Sequence, residues 1–384
     1  MSTLRYLTAG ESHGRQLTAI VEGCPSRLEV SAADIDADLA RRQLGFGRGE
    51  RQAIEHDHAQ ILSGVRYGLT TGGPIALAVE NRDAANWGDV LAVEKPAAAA
   101  EPVTVPRPGH ADLGGALLYD LPDLRDVIER ASARETAARV ACGAVARRLL
   151  SLLGCTVHSH VLEIGGVRAA NMPLDDLPSV DADPLRCLDH EASEAMQAAV
   201  VAAGARGDTL GGVFEVVVVG YPAGAGSYVQ ADRRLSARLA AALMSVPAVK
   251  GVELGLGFAA SRLAGSEVHD AIAFDQDRGY YRETNRAGGV EGGMSTGEPI
   301  VVRAAMKPIA TLRTPLRSVD MSTHAAVDSR FERSDVCAVP AAAVVGEAVL
   351  ALTLAAAALE RFGGATVEEL VAAVEAARRR ARRV

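Results

Sequence analysis

Between residues 31 and 44, apolar Ile35 and Leu39 recur at helical spacing behind a Ser31/Asp34 capping box and ahead of Gly45. That pattern predicts an amphipathic helix with Arg41 and Arg42 in its last turn. Short runs rich in branched residues, bounded by glycine or proline, predict strands over 17–21, 61–65, 75–79, 156–164, 213–219, 249–254 and 300–304. Their connections are mixed, without regular strand–helix alternation. Further helices are expected over 191–203, 232–245 and 341–362. A last one opens at the Thr366/Glu369 cap and ends in the basic run 378–383, which reads as a solvated tail.

Ser132-Ala133-Arg134-Glu135 is another capping box, opening a helix to about Leu153 whose N-terminus is a natural anion site. A helix beginning near Pro122 is the alternative, and it would leave Ser132 and Arg134 on different faces in mid-helix. Gly45-Phe46-Gly47-Arg48-Gly49 forms a loop whose backbone can approach a ligand closely, with Arg48 beside it. The most apolar stretch, 336–359, is interrupted by Glu347, and its uninterrupted part is too short for a bilayer, so a buried helix is expected.

With 384 residues, 48% of them hydrophobic, the chain can bury a large core without disulfides or metals. No composition shift marks a place to divide it, so residues 1–384 are read as one unit. Its five cysteines are scattered and never spaced as Cys-x-x-Cys, which fits reduced thiols. The N-terminus lacks the pattern of a secretory signal, so a cytoplasmic location is expected. A formal charge of −8 argues against nucleic acid as the main partner. Within this acidic chain, arginines cluster beside glycines: Arg41, Arg42, Arg48 and Arg51; Arg107, Arg125, Arg130 and Arg134; Arg313, Arg317, Arg330 and Arg333. Such clusters suit capture of a small polyanion.

Two histidines sit in turns instead of on apolar faces. His13 lies in Gly10-Glu11-Ser12-His13-Gly14 and His110 in Arg107-Pro108-Gly109-His110-Ala111-Asp112, where each could transfer a proton near neutral pH. The pairs His56/His58 and His158/His160 alternate as strand residues do, and neither has the further ligands a closed metal site needs, so no metal is expected.

Gly10–Gly14 resembles the first signature of the chorismate synthase family. Glu129-Arg130-Ala131-Ser132-Ala133-Arg134-Glu135-Thr136, continuing through Val140 and Gly143, resembles its central signature, and Arg333-Ser334-Asp335-Val336-Cys337, continuing to Glu347, its C-terminal one. The resemblance covers nearly the whole chain. It implies an α/β (α+β) fold, a sandwich of antiparallel sheets packed around helices, assembled as a homotetramer. It also implies an anti-1,4-elimination of phosphate from 5-enolpyruvylshikimate-3-phosphate to give chorismate, with reduced FMN required. By the family pattern His13 is the acid near the leaving phosphate, His110 protonates or stabilises the flavin, and Asp335 assists proton removal through the flavin N5 atom. Arg42, Arg48, Arg107 and Arg134 would grip substrate anions, the first two also serving NADPH in members that use it. Flavin contacts carry over to Arg130, Ala131, Ser132, Pro247, Ala248, Gly292, Lys307, Pro308, Ile309, Ala310, Thr311 and Arg333. Alanine at 310 replaces the hydroxyl residue of the family pattern, which leaves only a backbone contact there. An external flavin reductase is the expected source of electrons.

Two other readings compete. Gly255-Leu256-Gly257-Phe258-Ala259-Ala260 follows a strand and matches Gly-x-Gly-x-x-Ala, with Asp275 and Asp277 downstream, as in a nicotinamide dehydrogenase. Gly265 breaks the helix that should open there, and no strand–helix–strand unit follows. The other reading is a non-catalytic anion-binding protein built on the same fold.

Overall fold

The protein is described by a computed structural model over residues 4–49, 56–97, 100–332 and 335–382. Strands β1 (Arg5–Ala9), β2 (Gln16–Glu22), β3 (Ala59–Ser63) and β4 (Ile75–Glu80) form one sheet in the order β1-β2-β4-β3. A second sheet contains β5 (Thr156–Ile164), β6 (Val167–Arg168), β7 (Gly212–Val219), β8 (Val249–Leu254) and β9 (Ile300–Met306), in the order β8-β9-β7-β5-β6. Every pairing within these two sheets is antiparallel.

The helices are α1 (Ala32–Gln43), α2 (Asp112–Tyr119), α3 (Arg125–Ala131), α4 (Thr136–Leu152), α5 (His190–Ala205), α6 (Leu235–Met244), α7 (Val339–Phe362) and α8 (Val367–Ala381), besides one short turn of helix. Helix α4 packs on β2 and β4, α7 packs on β5 and β7, and the two helices pack on each other. The result is the expected sandwich, with the helical layer inside. Register follows burial: Leu17, Ala19 and Val21 pair with Val79, Leu77 and Ile75, and all six side chains are buried. A slip of one residue would turn that set outwards.

Helix α7 is long and apolar enough to cross a membrane, with a mean hydropathy of 2.1, but it is buried inside the protein. The core explains the alanines. A Cβ added at Gly143 would lie 2.3 Å from the Ala348 Cβ, so α4 and α7 approach more closely than larger side chains permit.

Several expectations are corrected. Ser132 stands in extended backbone (φ −63°, ψ 142°) as the N-cap of a 3-10 turn, Ala133–Glu135, that leads directly into α4, so helical backbone opens at Ser132 and runs to Leu152, and the alternative helix running through Ser132 does not form because α3 ends at Ala131. Its hydroxyl caps the Arg134 N–H, but Glu135 does not complete a box; its carboxylate accepts from Thr8 and Arg139 instead. The helix expected over 232–245 starts at Leu235, after a separate turn at Ala231–Arg233. Strand β1 went unread, because Leu7 faces outward and the run carries no apolar alternation. Arg378 is no solvated tail residue: its guanidinium donates to the Leu153 and Gly220 carbonyls. The Gly255 segment is no dinucleotide fingerprint either. Strand β8 pairs antiparallel with β9, a 3-10 turn follows at Gly257–Arg262, and Gly255 (φ 54°) is packed against the Arg286 carbonyl.

Candidate active site

A cavity of about 1080 Å³ opens beside the sandwich. Its wall is assembled from chain-distant segments: the β1–β2 turn, the loop after α1, the 107–112 turn, the α3–α4 junction, the approach to β8, the segment leaving β9 and the approach to α7.

The β1–β2 turn brings in His13. Its Nδ1 lies 2.9 Å and 3.0 Å from the two Glu129 carboxylate oxygens, and its backbone N–H donates to the same carboxylate at 2.8 Å. The imidazole stacks on Trp87 with ring centroids 4.0 Å apart. Burial pushes the Glu129 carboxyl up, but the hydrogen bonds and charge of His13, helped by Arg125, outweigh it and hold the group below the usual range.

His110 has an equivalent support. Its Nδ1 lies 2.5 Å from Asp112, a fully buried carboxylate that also takes the Arg107 guanidinium at 2.9 Å and 3.1 Å. Burial opposes the Asp112 charge, yet His110 and Arg107 together hold its carboxyl far below the ordinary range. The remaining Arg107 terminal nitrogen reaches the Thr311 hydroxyl at 3.3 Å and Glu332 at 3.6 Å.

Arg42 and Arg134 share one carboxylate, Asp57. The Arg134 guanidinium donates to Asp57 at 2.6 Å and to Asn81 at 2.8 Å. Arg42 reaches Asp57 at 3.4 Å, the Thr136 hydroxyl at 3.0 Å and the Ala133 carbonyl at 3.1 Å. Burial pushes the Arg42 guanidinium down to about 9, because Asp57 only partly offsets it while Arg134 and Arg48 repel it. Arg48 pairs with Asp335 at 2.8 Å, and the Gly49 N–H donates to the other Asp335 oxygen at 2.7 Å. Arg48 Nε is buried and has no hydrogen-bond partner. The N-cap of α7 is Ala338, so Asp335 does not cap that helix.

The cavity wall thus brings together His13, Arg42, Arg48, Arg107, His110, Ala131, Ser132, Arg134, Pro247, Ala248, Lys307, Ile309, Ala310, Thr311 and Asp335. Pro308 lies between wall residues without lining the cavity. Arg130 lines a smaller neighbouring cavity of about 510 Å³ and donates to Thr8. Gly292 sits in the turn between Val290–Glu291 and Met294–Ser295, away from the cavity. Arg333 and Arg51 lie outside the described residues. Sequence reasoning gave no role to Glu129, Asp112, Asp57 or Trp87, although Glu129 and Asp112 stand inside the quoted motifs. Their acidic side chains next to histidine or arginine were the available signal. The metal question at His58 resolves into an Asp36 contact, and at His160 into a buried pair with Glu215 at 3.1 Å.

Fold and cavity together describe an enzyme-like pocket lined by arginines suited to a small polyanion, with two histidines, each held by a buried carboxylate, in its wall. The chain matches the chorismate synthase family over residues 4–359. It is 55% identical to the chorismate synthase of Geobacillus thermodenitrificans (strain NG80-2), over 99% of this chain and 100% of that protein. It is 56% identical to chorismate synthase 1 of Bacillus cereus (strain ATCC 14579), over 94% and 95%. A solved structure described as a crystal structure of chorismate synthase superposes with a TM-score of 0.81 at 41% identity, covering 100% of each chain. The chain belongs to the chorismate synthase family. It is a carbon–oxygen lyase that eliminates phosphate from 5-enolpyruvylshikimate-3-phosphate to give chorismate, and the family implies a reduced flavin.

Proposed function

We propose that this elimination takes place in the 1080 Å³ cavity, with FMN as the reduced flavin. The observation that carries the reading is convergence: two histidines, each held by a buried carboxylate, and four arginines meet at one cavity. His13 delivers the proton that the departing phosphate needs, and Arg42, Arg48, Arg107 and Arg134 supply the positive field for the substrate's phosphate and carboxylates. Asp335, fixed by Arg48 and the Gly49 N–H, is the carboxylate that serves proton removal from the ring. His110 holds a proton on the flavin side.

The residues fit FMN. Burial and the neighbouring Lys250 both push the Lys307 ammonium down, a strain that an anion beside the two lysines would relieve. Arg48 Nε is an unused donor. Ala131, Ser132, Pro247, Ala248 and the segment Lys307–Thr311 would hold the cofactor, with Arg130 in the neighbouring cavity; the roles of Gly292 and Arg333 rest on the family pattern alone. When bound there, reduced FMN would supply transient electron donation to the substrate ring. NADPH at Arg42 and Arg48 would be its reductant if the protein reduces its own flavin; the reading preferred here is an external reductase.

Residues 1–384 act as one unit in this reading, because a single buried cluster joins elements of both sheets. The unit forms a homotetramer, for which Leu117, Leu118 and Tyr119 of α2, each more than two-thirds exposed, offer apolar surface. A cytoplasmic location belongs to the same reading, and the five free, buried cysteines support it, with thiols such as Cys24 and Cys142 pushed up to about 12 by burial. Anaerobic single turnover with pre-reduced FMN tests the chemistry, and phosphate release dependent on the flavin is the expected result. Sedimentation velocity tests the assembly; only monomer at micromolar concentration would overturn it.

A further inference from the structure

We infer that Glu129 is the positioning residue for His13, fixing which ring nitrogen carries the transferable proton. The inference rests on His13 being the acid, as proposed above. Glu129 is on α3, 1% exposed, and its carboxylate spans two donors of the same residue: the His13 backbone N–H and Nδ1. A backbone amide can only donate, so one carboxylate oxygen is committed to it. Nδ1 faces both oxygens, at 2.9 Å and 3.0 Å, and a carboxylate only accepts, so Nδ1 is a donor as well. His13 is therefore held as the Nδ1–H tautomer when neutral, and its proton leaves from Nε2 without any ring rearrangement. Other contacts lock the same geometry. Trp87 stacks on the imidazole (interplanar angle 19°), its indole N–H donates to Asp83 at 3.3 Å, and the Ser12 N–H donates to the Glu129 carbonyl at 3.1 Å. Arg125 lies 3.5 Å from Glu129 and 5.3 Å from the Trp87 ring centroid, so it bears on both supports.

Glu129→Gln separates positioning from mere structure. The amide must turn its oxygen to the His13 backbone N–H, which puts its NH2 where the nearer oxygen stood, 2.9 Å from Nδ1; the retained oxygen, 3.0 Å from Nδ1, is engaged by the backbone, so the facing donor favours the neutral Nε2–H tautomer. Solid-state 15N NMR of histidine-labelled protein, with His13→Asn for assignment, reads the tautomer directly at alkaline pH. Single turnover with pre-reduced FMN reads its consequence. The expected result is a tautomer switch with a turnover loss of about tenfold or more, and substrate affinity within about twofold of wild type. Glu129→Asp, which keeps the charge, should restore part of the rate and covers the case of a poorly folding amide variant. An unchanged Nδ1–H tautomer in Glu129→Gln overturns the inference. A switched tautomer with unchanged turnover would instead uphold the positioning and remove His13 from the role of acid.

Discussion

Arg41 and Arg42 are neighbours in the last turn of α1, yet their side chains enter different clusters. Arg41 turns into the core, where Glu347 of α7 takes it at 2.7 Å and 2.9 Å, together with Arg147 at 3.3 Å, Arg186 at 3.0 Å and the Ser159 hydroxyl at 2.6 Å. Arg42 turns into the cavity and shares Asp57 with Arg134. Burial works against both guanidinium charges. For Arg41, the attraction of Glu347 and Asp38 outweighs burial and holds the group above its ordinary value; for Arg42, Asp57 does not, and the group falls to about 9. Glu347 and Asp38 outweigh burial at Arg41, although Arg186 in the same cluster is still pushed down to about 10 by burial; at the cavity, Arg42 and Arg134 have a single shared carboxylate, Asp57. Arginine density alone therefore does not mark a site here; at Arg42 and Arg134 the shared Asp57 leaves a shortfall of negative charge that opens onto the cavity, and an anionic substrate makes it good.

Removing the core carboxylate should produce the largest effect. Glu347→Gln leaves Arg41, Arg147 and Arg186 without their shared counter-charge, and breaking a buried network of this kind costs about 3–5 kcal/mol. Urea unfolding should show that loss. A cost below about 1 kcal/mol would mean that Asp38 and Asp181 suffice for the three arginines.

Changes on the cavity side should spare the fold and strike the chemistry. His13→Ala and His110→Ala are each expected to slow single turnover with pre-reduced FMN by about a hundredfold or more, with thermal unfolding little changed. Wild-type rates in both would remove them as proton donors. Asp335→Asn sorts with them: without a cap to lose, stability and FMN binding should survive while elimination slows sharply. Somewhat smaller is Arg48→Ala, expected to weaken substrate binding by on the order of 2 kcal/mol. Arg48→Lys should not restore it, because lysine has no counterpart of the unpartnered Nε. Unchanged affinity in both would leave Arg48 as no more than a clamp on Asp335.

The contrast between Arg41 and Arg42 also shows what sequence could and could not disclose. Their places in the last turn of α1 were legible, since the Ser31/Asp34 box and the Ile35/Leu39 stripe fix that helix. Strands 156–164 and 249–254 were legible to the residue, because glycine and branched-residue boundaries are local signals. The partners were not. Asp57 meets Arg134 from 77 positions away and Glu347 meets Arg41 from 306, distances over which no periodicity carries information. The boundary at Ser132 was legible, but the partner of Glu135 was not, for a related reason. The Ser-x-x-Glu spacing promised a capping box, but Glu135 was drawn to Thr8 and Arg139, so tertiary contacts overrode the local one. Most of the residues that motif resemblance named line the cavity, but it placed Arg130 and Gly292 among them although the described cavity wall does not include Gly292 and only the neighbouring cavity includes Arg130.

The smallest expected effect is on the acid side of the stability profile, where the two clusters can be separated by subtraction. Burial raises the Glu347 carboxyl, but the arginines overcome it and hold it at about 2, below its ordinary 4.5. A carboxylate depressed in the folded state contributes stability that is fully present above its unfolded value and is lost as pH falls through the folded one. The contribution of Glu347 is therefore complete at neutral pH, begins to fade near pH 4.5 and continues to fall towards pH 2. Wild-type acid unfolding alone cannot isolate it, because Asp112 and Glu129 at the cavity are depressed as well and add slopes of the same sign. Subtracting the stability of Glu347→Gln from that of wild type at each pH removes those shared terms, provided the sites do not couple. The difference should be nearly level from pH 7 to about 5 and then shrink as acid is added, by about 0.8 kcal/mol at pH 4. The same subtraction with Asp112→Asn should give a difference of the same sign that survives to still lower pH. A difference for Glu347→Gln that stays constant down to pH 3 would show that Glu347 acts by packing and hydrogen bonding alone, and the core cluster would lose its electrostatic meaning.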